Sequence, residues 1–195
     1  MENINLTGHF LIAMPAMIDA YFSKSVTFIC THNSDGAMGV VINHPTEITL
    51  KTLFEKINVP LENNDVANQP VLYGGPVEPE RGFVLHEYDE ALTKAWDGTV
   101  AITDNIALTS SKDILESVAM GSGPAKMLLS LGYAGWAAGQ LEEEIKQNTW
   151  LSVQAKDTDT LHKILYETRY EDKLNATLAL LGIDFAMLSD VAGHA

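Results

Sequence analysis

Residues able to perform acid–base or nucleophilic chemistry are widely spaced in this chain. The six histidines form no H-E-x-x-H motif and no paired ligand spacing, so the sequence predicts neither a metal site nor a cofactor. No G-x-S-x-G sequence surrounds a serine, and Ser130 lies in an apolar run typical of a buried strand. Cys30 and His32 share one face of a predicted strand, about 7 Å apart at their backbones, which is too far for a direct pair. Cys30 is therefore interpreted as a small buried residue.

One enzymatic alternative stays open. His86 and Asp104 could provide a base and a carboxylate, and Ser130 could provide a hydroxyl, for an enzyme such as a hydrolase. No spacing joins these residues into a catalytic motif, so the sequence favours a protein without enzymatic activity.

A second group of residues could form a binding surface instead. The hypothesis is a shallow cleft for a ligand or partner, walled by glycines and aromatic rings and supplied with a few polar groups. The candidate residues are Tyr73, Gly74, Gly75 and Trp136 for the walls, and His86, Asp104 and Asn105 for the polar groups. The competing interpretation is structural: the glycines provide bends and Trp136 fills the core. Turns and cores need such residues in any case, so the structural interpretation is favoured.

The rest of the chain is organised around residues 127–147. The sequence predicts a buried strand over Met127–Leu131, a glycine-rich turn over 132–139 and a helix from Gln140. The first turn of that helix carries three consecutive glutamates at 142–144, which suit the positive end of the helix dipole, and Glu142 could pair with Lys146. A turn between a strand and a helix often binds ligands, but these acids would repel a phosphate and the spacing is not G-x-G-x-x-G.

The remaining pattern predicts strands joined by hairpins in the first half and alternating helices and strands in the second. Two strand-like runs, 25–32 and 37–43, flank the turn Asn-Ser-Asp-Gly, which predicts a hairpin. The apolar spacing after Ser110 predicts a helix that ends at Gly121. We expect a single α+β domain over residues 1–195, with a mixed, mainly antiparallel sheet.

Composition limits the classes of partner. The chain has 195 residues, a net charge of −14 and one cysteine. Its lysines are scattered, so it lacks the basic footprint of a nucleic-acid or anionic-membrane binder. The apolar runs are too short to span a bilayer, and the N-terminus lacks the basic start of a signal peptide. We expect a cytoplasmic protein that contacts neither nucleic acid nor membrane directly.

Several segments carry a resemblance to a known family. They are Met14-Pro15, the run GAMGVVINHP at 36–45, GGPV at 74–77, RGFVLH at 81–86, GYAGW at 132–136, GQLE at 139–142 and NTWL at 148–151. Together they resemble the AlgH-like (YqgE-like) family of bacterial proteins over nearly the whole chain. The sequence departs from the family pattern at Ala20 in place of proline, His44 in place of a basic residue and Ala137-Ala138 in place of Gly-Pro.

The resemblance implies a sheet curled into a partial barrel with flanking helices, and it carries over no catalytic residue. One member of the family is labelled a regulator of alginate production. Because the charge disfavours DNA contact, any regulation is expected to act through a protein or small-molecule partner. The leading hypothesis is a non-enzymatic binding or regulatory protein, present as a monomer or weak oligomer.

Overall fold

The computed structural model describes residues 5–88 and 96–192. The strands are β1 (Phe10–Ala13), β2 (Val26–Asn33), β3 (Gly36–Val41), β4 (Pro45–Thr49), β5 (Pro70–Tyr73), β6 (Val77–Glu87), β7 (Val100–Thr103), β8 (Ile106–Thr109), β9 (Met127–Ala137) and β10 (Trp150–Val153). The α-helices in this part of the chain are α1 (Leu50–Lys56), α2 (Lys112–Met120), α3 (Gln140–Lys146), α4 (Thr158–His162), α5 (Lys173–Ala179) and α6 (Phe185–Ala192). Two short 3-10 turns, Asn64–Val66 and Tyr170–Asp172, and one π-helical turn, Lys163–Glu167, complete the described elements.

The strands form one open, mixed sheet. Its main path runs β10-β1-β2-β3-β9-β6-β8-β7, and the neighbours on this path are antiparallel. β4 and β5 form a further antiparallel pair, and β5 joins the sheet through a parallel pairing with β9. The sheet curls without closing, since β10 and β7 lie at opposite ends of the path. The predicted α+β class, with a mainly antiparallel sheet curled into a partial barrel and flanking helices, is confirmed.

Apolar side chains alternate between the two faces of the sheet and create three buried layers. In β1, Phe10 and Ile12 enter the first layer, which the C-terminal helices cover, whereas Leu11 and Ala13 face the other side. On that other side, a second layer packs under α1 and α2, and a third packs under α3. The period of two along each strand is therefore what divides the core.

The prediction of a glycine-rich turn over residues 132–139 is wrong. β9 continues to Ala137, and only residues 138–139 turn before α3 begins at Gln140, as predicted. Gly132 has a φ of +72°, and residues 78–81 of β6 stand opposite it alone, so β6 bulges where it faces this glycine. Small residues suit this strand because neighbouring backbones pass close to it.

The predicted hairpin and helix are confirmed. β2 and β3 pair antiparallel on either side of the turn at Ser34-Asp35. α2 ends at Gly121, whose φ of +81° is the left-handed conformation that glycine adopts at little cost.

A π-helical turn directly follows α4. The Thr168 N–H donates to the Lys163 carbonyl at 2.8 Å, a spacing of five residues. The wider turn leaves the Leu165 carbonyl available, and the buried Lys173 Nζ donates to it at 2.6 Å. Such turns occur often near functional sites, and this one borders a cavity described below.

Replacing Tyr166 with phenylalanine is expected to raise the free energy of unfolding by about 1 kcal/mol. The Tyr166 hydroxyl is buried and makes no hydrogen bond with the described residues. Burial, followed by the charges of Glu87 and Cys30, raises the pKa of Tyr166 well above its usual value. Phenylalanine keeps the ring and removes the unpaired group. Urea denaturation should show the gain, whereas Tyr21→Phe at an exposed tyrosine should change nothing; a loss of stability in Tyr166→Phe would contradict this account.

Candidate functional site

Gly74 and Gly75 lie where the chain crosses β9. β5 pairs with one side of β9 and β6 with the other, so residues 74–76 pass over the β9 backbone. A Cβ on Gly75 would lie 2.1 Å from the Tyr133 carbonyl carbon, and a Cβ on Gly74 would lie 2.2 Å from the Gly132 oxygen. Only glycine fits at such a backbone crossing. These contacts support the structural interpretation of the pair.

Tyr73, the last residue of β5, forms an aromatic pair instead of a cleft wall. Its ring stacks on Tyr21, with 5.7 Å between centroids and 19° between planes. The Tyr73 hydroxyl is buried without a hydrogen-bond partner among the described residues. Burial raises the pKa of Tyr73, with smaller contributions from Tyr21 and Asp19.

His86 is fully buried, and both of its ring nitrogens are engaged. Nδ1 lies 2.8 Å from the Glu87 carbonyl, which can only accept, so we assign the proton to Nδ1. Nε2 then accepts from the Thr109 hydroxyl at 2.9 Å, and the ring packs edge-on against Trp96. Burial lowers the pKa of His86, which favours the neutral ring, although the hydrogen bond to Glu87 acts in the opposite direction. This environment makes His86 a satisfied core residue.

Asp104 and Asn105 occupy the exposed turn between β7 and β8. The Asn105 carbonyl accepts from the Tyr88 N–H at 2.6 Å, and its side-chain oxygen accepts from Thr158. The described contacts of His86 include neither Asp104 nor Ser130. The Ser130 hydroxyl instead lies 3.5 Å from the carbonyl of Phe83. The residues of the enzymatic alternative are therefore not brought together by the contacts that the structure describes.

Trp136 is buried in the third layer and is held by a carboxylate of α3. Its indole Nε1 and that of Trp150 both donate to Oε2 of Glu144, at 2.9 and 2.7 Å. The other oxygen, Oε1, accepts from the Gln140 amide at 2.8 Å. The two indoles pack edge-on, with 5.8 Å between ring centroids. Glu144 therefore fastens the short helix α3 to the sheet.

A second carboxylate of α3 binds His32. The His32 Nδ1 accepts the Leu6 N–H at 3.0 Å, which assigns the ring proton to Nε2, and Nε2 donates to Glu142 at 3.1 Å. The predicted pair between Glu142 and Lys146 is not formed; Lys146 lies 3.9 Å from Glu143 instead.

Cys30 and His32 do not share a strand face, contrary to the prediction. A bulge in β2 shifts the pairing between residues 29 and 31, so Cys30 enters the first layer while His32 joins the third-layer side. Burial raises the pKa of the Cys30 thiol to about 12, as the interpretation of an inert buried residue requires.

Two adjoining cavities form a groove beside β9. The larger, about 450 Å³, lies between the β2–β3 hairpin and β9, and the smaller, about 210 Å³, borders β6 and β8. Both are lined by Met38 and Tyr133, so we treat them as one and call it the β9 groove. Other lining residues include Asp35, Val77, Glu78, Arg81, Phe83 and Trp136, so two carboxylates and one guanidinium line the groove.

Arg81 gives the β9 groove a directional polar group. It is one of two arginines in the sequence and the one cation among the described lining residues. Its side chain is 51% exposed, lies over the Phe83 ring at 5.3 Å, and donates to Glu78 and Ser110 at 2.9 Å each. Glu78 has a φ of +47°, which is rare outside glycine, and strain of this kind concentrates at functional sites.

Of the seven candidate residues, Trp136 borders the β9 groove and the other six lie elsewhere. The sequence hypothesis missed Met38, Arg81 and Tyr133, which come from strands far apart in the chain. The signals that could have found them are the rarity of arginine and the position of Tyr133 within the glycine-rich strand. Their convergence itself depends on which strands pair.

No helix in residues 5–88 and 96–192 is long and apolar enough to cross a membrane. Within the same residues, no group of three or more histidine, cysteine, aspartate or glutamate side chains is arranged to hold a metal ion.

Known proteins match the chain over its length. Residues 10–186 match the model of a protein family described as AlgH-like. The chain is 51% identical over 195 residues to a UPF0301 protein of Thiobacillus denitrificans, covering 100% of both chains. It is 52% identical over 192 residues to a UPF0301 protein of Ralstonia pickettii, covering 98% of this chain and 96% of the relative.

Two solved structures share the fold. The solution structure of the AlgH protein from Pseudomonas aeruginosa matches with a TM-score of 0.78 and 39% identity, covering 100% of this chain and 98% of that one. A protein of Corynebacterium diphtheriae matches with a TM-score of 0.59 and 22% identity over 80% and 78% of the two chains, which shows likeness of fold alone. The family match and the two relatives at about half identity agree with the motifs in the sequence, and the chain belongs to the AlgH-like family.

Proposed function

We propose that this AlgH-like protein is a non-enzymatic binding protein that holds a segment of a partner protein in the β9 groove. The observation that carries the proposal is the meeting of two cavities at Met38 and Tyr133, with the exposed Arg81 at one end. An apolar anchor beside an arginine is a common arrangement at protein interfaces.

The chemistry of the groove indicates what the segment carries. Met38 and Tyr133 provide a flexible thioether and an aromatic ring for an apolar side chain. The Arg81 guanidinium has five N–H donors, and Glu78 and Ser110 accept from only two of its nitrogens, so donors remain for an oxygen of the partner. Because Glu78 already balances the charge of Arg81, we propose a partner segment with an apolar residue next to an uncharged hydrogen-bond acceptor, such as a backbone carbonyl.

The proposed contact predicts selective loss of capture. The immobilised chain should retain a bacterial partner that Arg81→Ala and Tyr133→Ala fail to retain. The first change removes the guanidinium N–H donors of the groove, and the second removes its aromatic ring. Arg169→Ala is the matched control, since Arg169 is an exposed arginine paired with Asp172 at 2.8 Å outside the groove. Quantitative mass spectrometry of the retained proteins makes the comparison.

Two outcomes would overturn the proposal. Equal retention by all four proteins would remove the groove from the interaction. A small molecule that co-purifies with the wild type and is lost in Tyr133→Ala would replace the protein partner with a ligand. Circular dichroism of each variant confirms that its fold is retained.

The protein would act as a single domain over residues 1–195, as a cytoplasmic monomer or weak oligomer, without direct contact with nucleic acid or membranes. The charge of −14 supports the exclusion of polyanions. Any regulatory role would then act through the partner held in the groove.

A further inference from the structure

We propose a second binding site, in the cavity of about 500 Å³ against the π-helical turn, for an unphosphorylated nucleoside. This cavity, which we call the π-turn cavity, shares no lining residue with the β9 groove. Its volume lies within the range of small-molecule sites, about 300–1,000 Å³.

Two tyrosine rings line the π-turn cavity from adjacent turns of the chain. Tyr166 comes from the π-helical turn, and Tyr170 comes from the 3-10 turn that follows it. The Tyr166 hydroxyl is inaccessible to solvent, which places that group on the core side, so the ring is the part of the side chain that borders the cavity. Aromatic rings in such positions stack on planar bases.

The Tyr170 ring is supported from behind. The Lys173 Nζ lies 4.9 Å from the ring centroid, and the lysine is 1% exposed and does not line the cavity. One face of the ring is therefore covered by Lys173, while the residue also lines the cavity. Lys173 is itself fixed by its hydrogen bond to the Leu165 carbonyl at 2.6 Å. A ring held in this way loses little freedom when a base stacks on it.

The remaining walls match a base and a sugar. Asn68 and Gln69 each offer an amide with both donor and acceptor groups, as the polar edge of a base requires. The Asp65 carboxylate can accept hydrogen bonds from sugar hydroxyls, as acidic residues do for ribose in dinucleotide sites. Pro70 and Pro124 add flat apolar surface.

The same walls disfavour a phosphate. Asp65 is the one charged residue among the described residues that line the cavity, and the whole chain carries −14. A nucleotide would bring its anion next to this carboxylate without a lysine or arginine to balance it. The chemistry therefore selects the nucleoside over its phosphate ester.

Isothermal titration calorimetry on the full chain tests the site with adenosine, guanosine, cytidine, uridine, the corresponding monophosphates and ribose. At least one nucleoside should bind, its monophosphate should bind at least about tenfold more weakly, and ribose alone should not bind. Tyr170→Ala should weaken nucleoside binding by at least about tenfold through the loss of stacking. Asn68 and Gln69 are exposed residues at the rim of the cavity, so replacing them is less liable to disturb the fold. Asn68→Ala and Gln69→Ala should each weaken nucleoside binding as well.

Two controls separate this site from its surroundings. Tyr166→Phe should bind as the wild type does, because its hydroxyl lies on the core side. Tyr133→Ala should also bind normally, because it alters only the β9 groove. The inference is overturned if no nucleoside binds, if the monophosphate binds as tightly as the nucleoside, or if neither Tyr170→Ala nor the rim variants weaken binding.

Discussion

Replacing Glu144 with alanine is expected to lower the free energy of unfolding by about 2–5 kcal/mol. The change leaves the indole N–H groups of Trp136 and Trp150 without their acceptor, and both side chains are buried, at 7% and 4% exposure. A buried donor left unpaired costs about 1–3 kcal/mol. Urea denaturation followed by tryptophan emission measures the loss directly, since two of the three tryptophans contact this carboxylate.

The neighbouring glutamate gives a matched control. Glu143 is exposed and contacts only Gln147 and, at 3.9 Å, Lys146 among the described residues. Glu143→Ala should therefore change stability by less than about 0.5 kcal/mol. The loss of stability in Glu144→Gln should lie between those of Glu143→Ala and Glu144→Ala, because the glutamine amide retains one oxygen that can accept a hydrogen bond. Similar losses in Glu143→Ala and Glu144→Ala would show that the carboxylate of Glu144 does not fasten α3 to the sheet.

The three glutamates illustrate what sequence can and cannot predict about a site. Their position in the first helical turn predicts the start of α3, and the helix begins there. Their separate partners depend on strands distant in the chain: Glu142 binds His32 and Glu144 binds two tryptophans, while Glu143 remains at the surface. The local sequence is enough to predict the start of the helix from the helix dipole, but it does not identify these partners.

The same limit explains the error over β9. Residues 132–137 are small and rich in glycine, which is locally typical of a turn, yet β3 pairs with this segment and β6 pairs at Tyr133. Strand formation here is decided by pairing and close approach of backbones more than by intrinsic preference. The hairpin at residues 33–36 was predictable because its signal is local, and the curled sheet was predictable through family resemblance. Predicting the β9 groove would have required the order of the strands in the sheet, which no local pattern provides.

Replacing Lys173 with methionine is expected to stabilise the protein at pH 6 and destabilise it near pH 10. Burial lowers the pKa of Lys173 from 10.5 to about 7. Below pH 7 the folded chain therefore holds a buried ammonium, at a cost of roughly 5 kcal/mol relative to the unfolded chain. Methionine removes that cost but leaves the Leu165 carbonyl without its donor, a loss of about 1–2 kcal/mol.

The sign of the pH dependence follows from proton uptake. Between about pH 7 and pH 10.5, unfolding returns a proton to Lys173, so the wild type gains stability as pH rises through this interval, whereas Lys173→Met lacks that gain. The variant should be more stable by about 3–4 kcal/mol at pH 6 and less stable by up to about 1 kcal/mol near pH 10, where a small part of the cost in the wild type remains, with a crossover between them.

Urea midpoints measured at pH 6, 7.5, 9 and 10 locate this crossover. Lys163→Met is the matched control: Lys163 is exposed in the adjacent π-helical turn, so its replacement should give a small difference that hardly varies over this range. A constant difference between wild type and Lys173→Met would mean that Lys173 keeps an ordinary pKa in the folded chain. A larger loss for the variant at pH 6 than at pH 10 would mean that the charged amine stabilises the turn, since only an ammonium with a net favourable environment gives that sign.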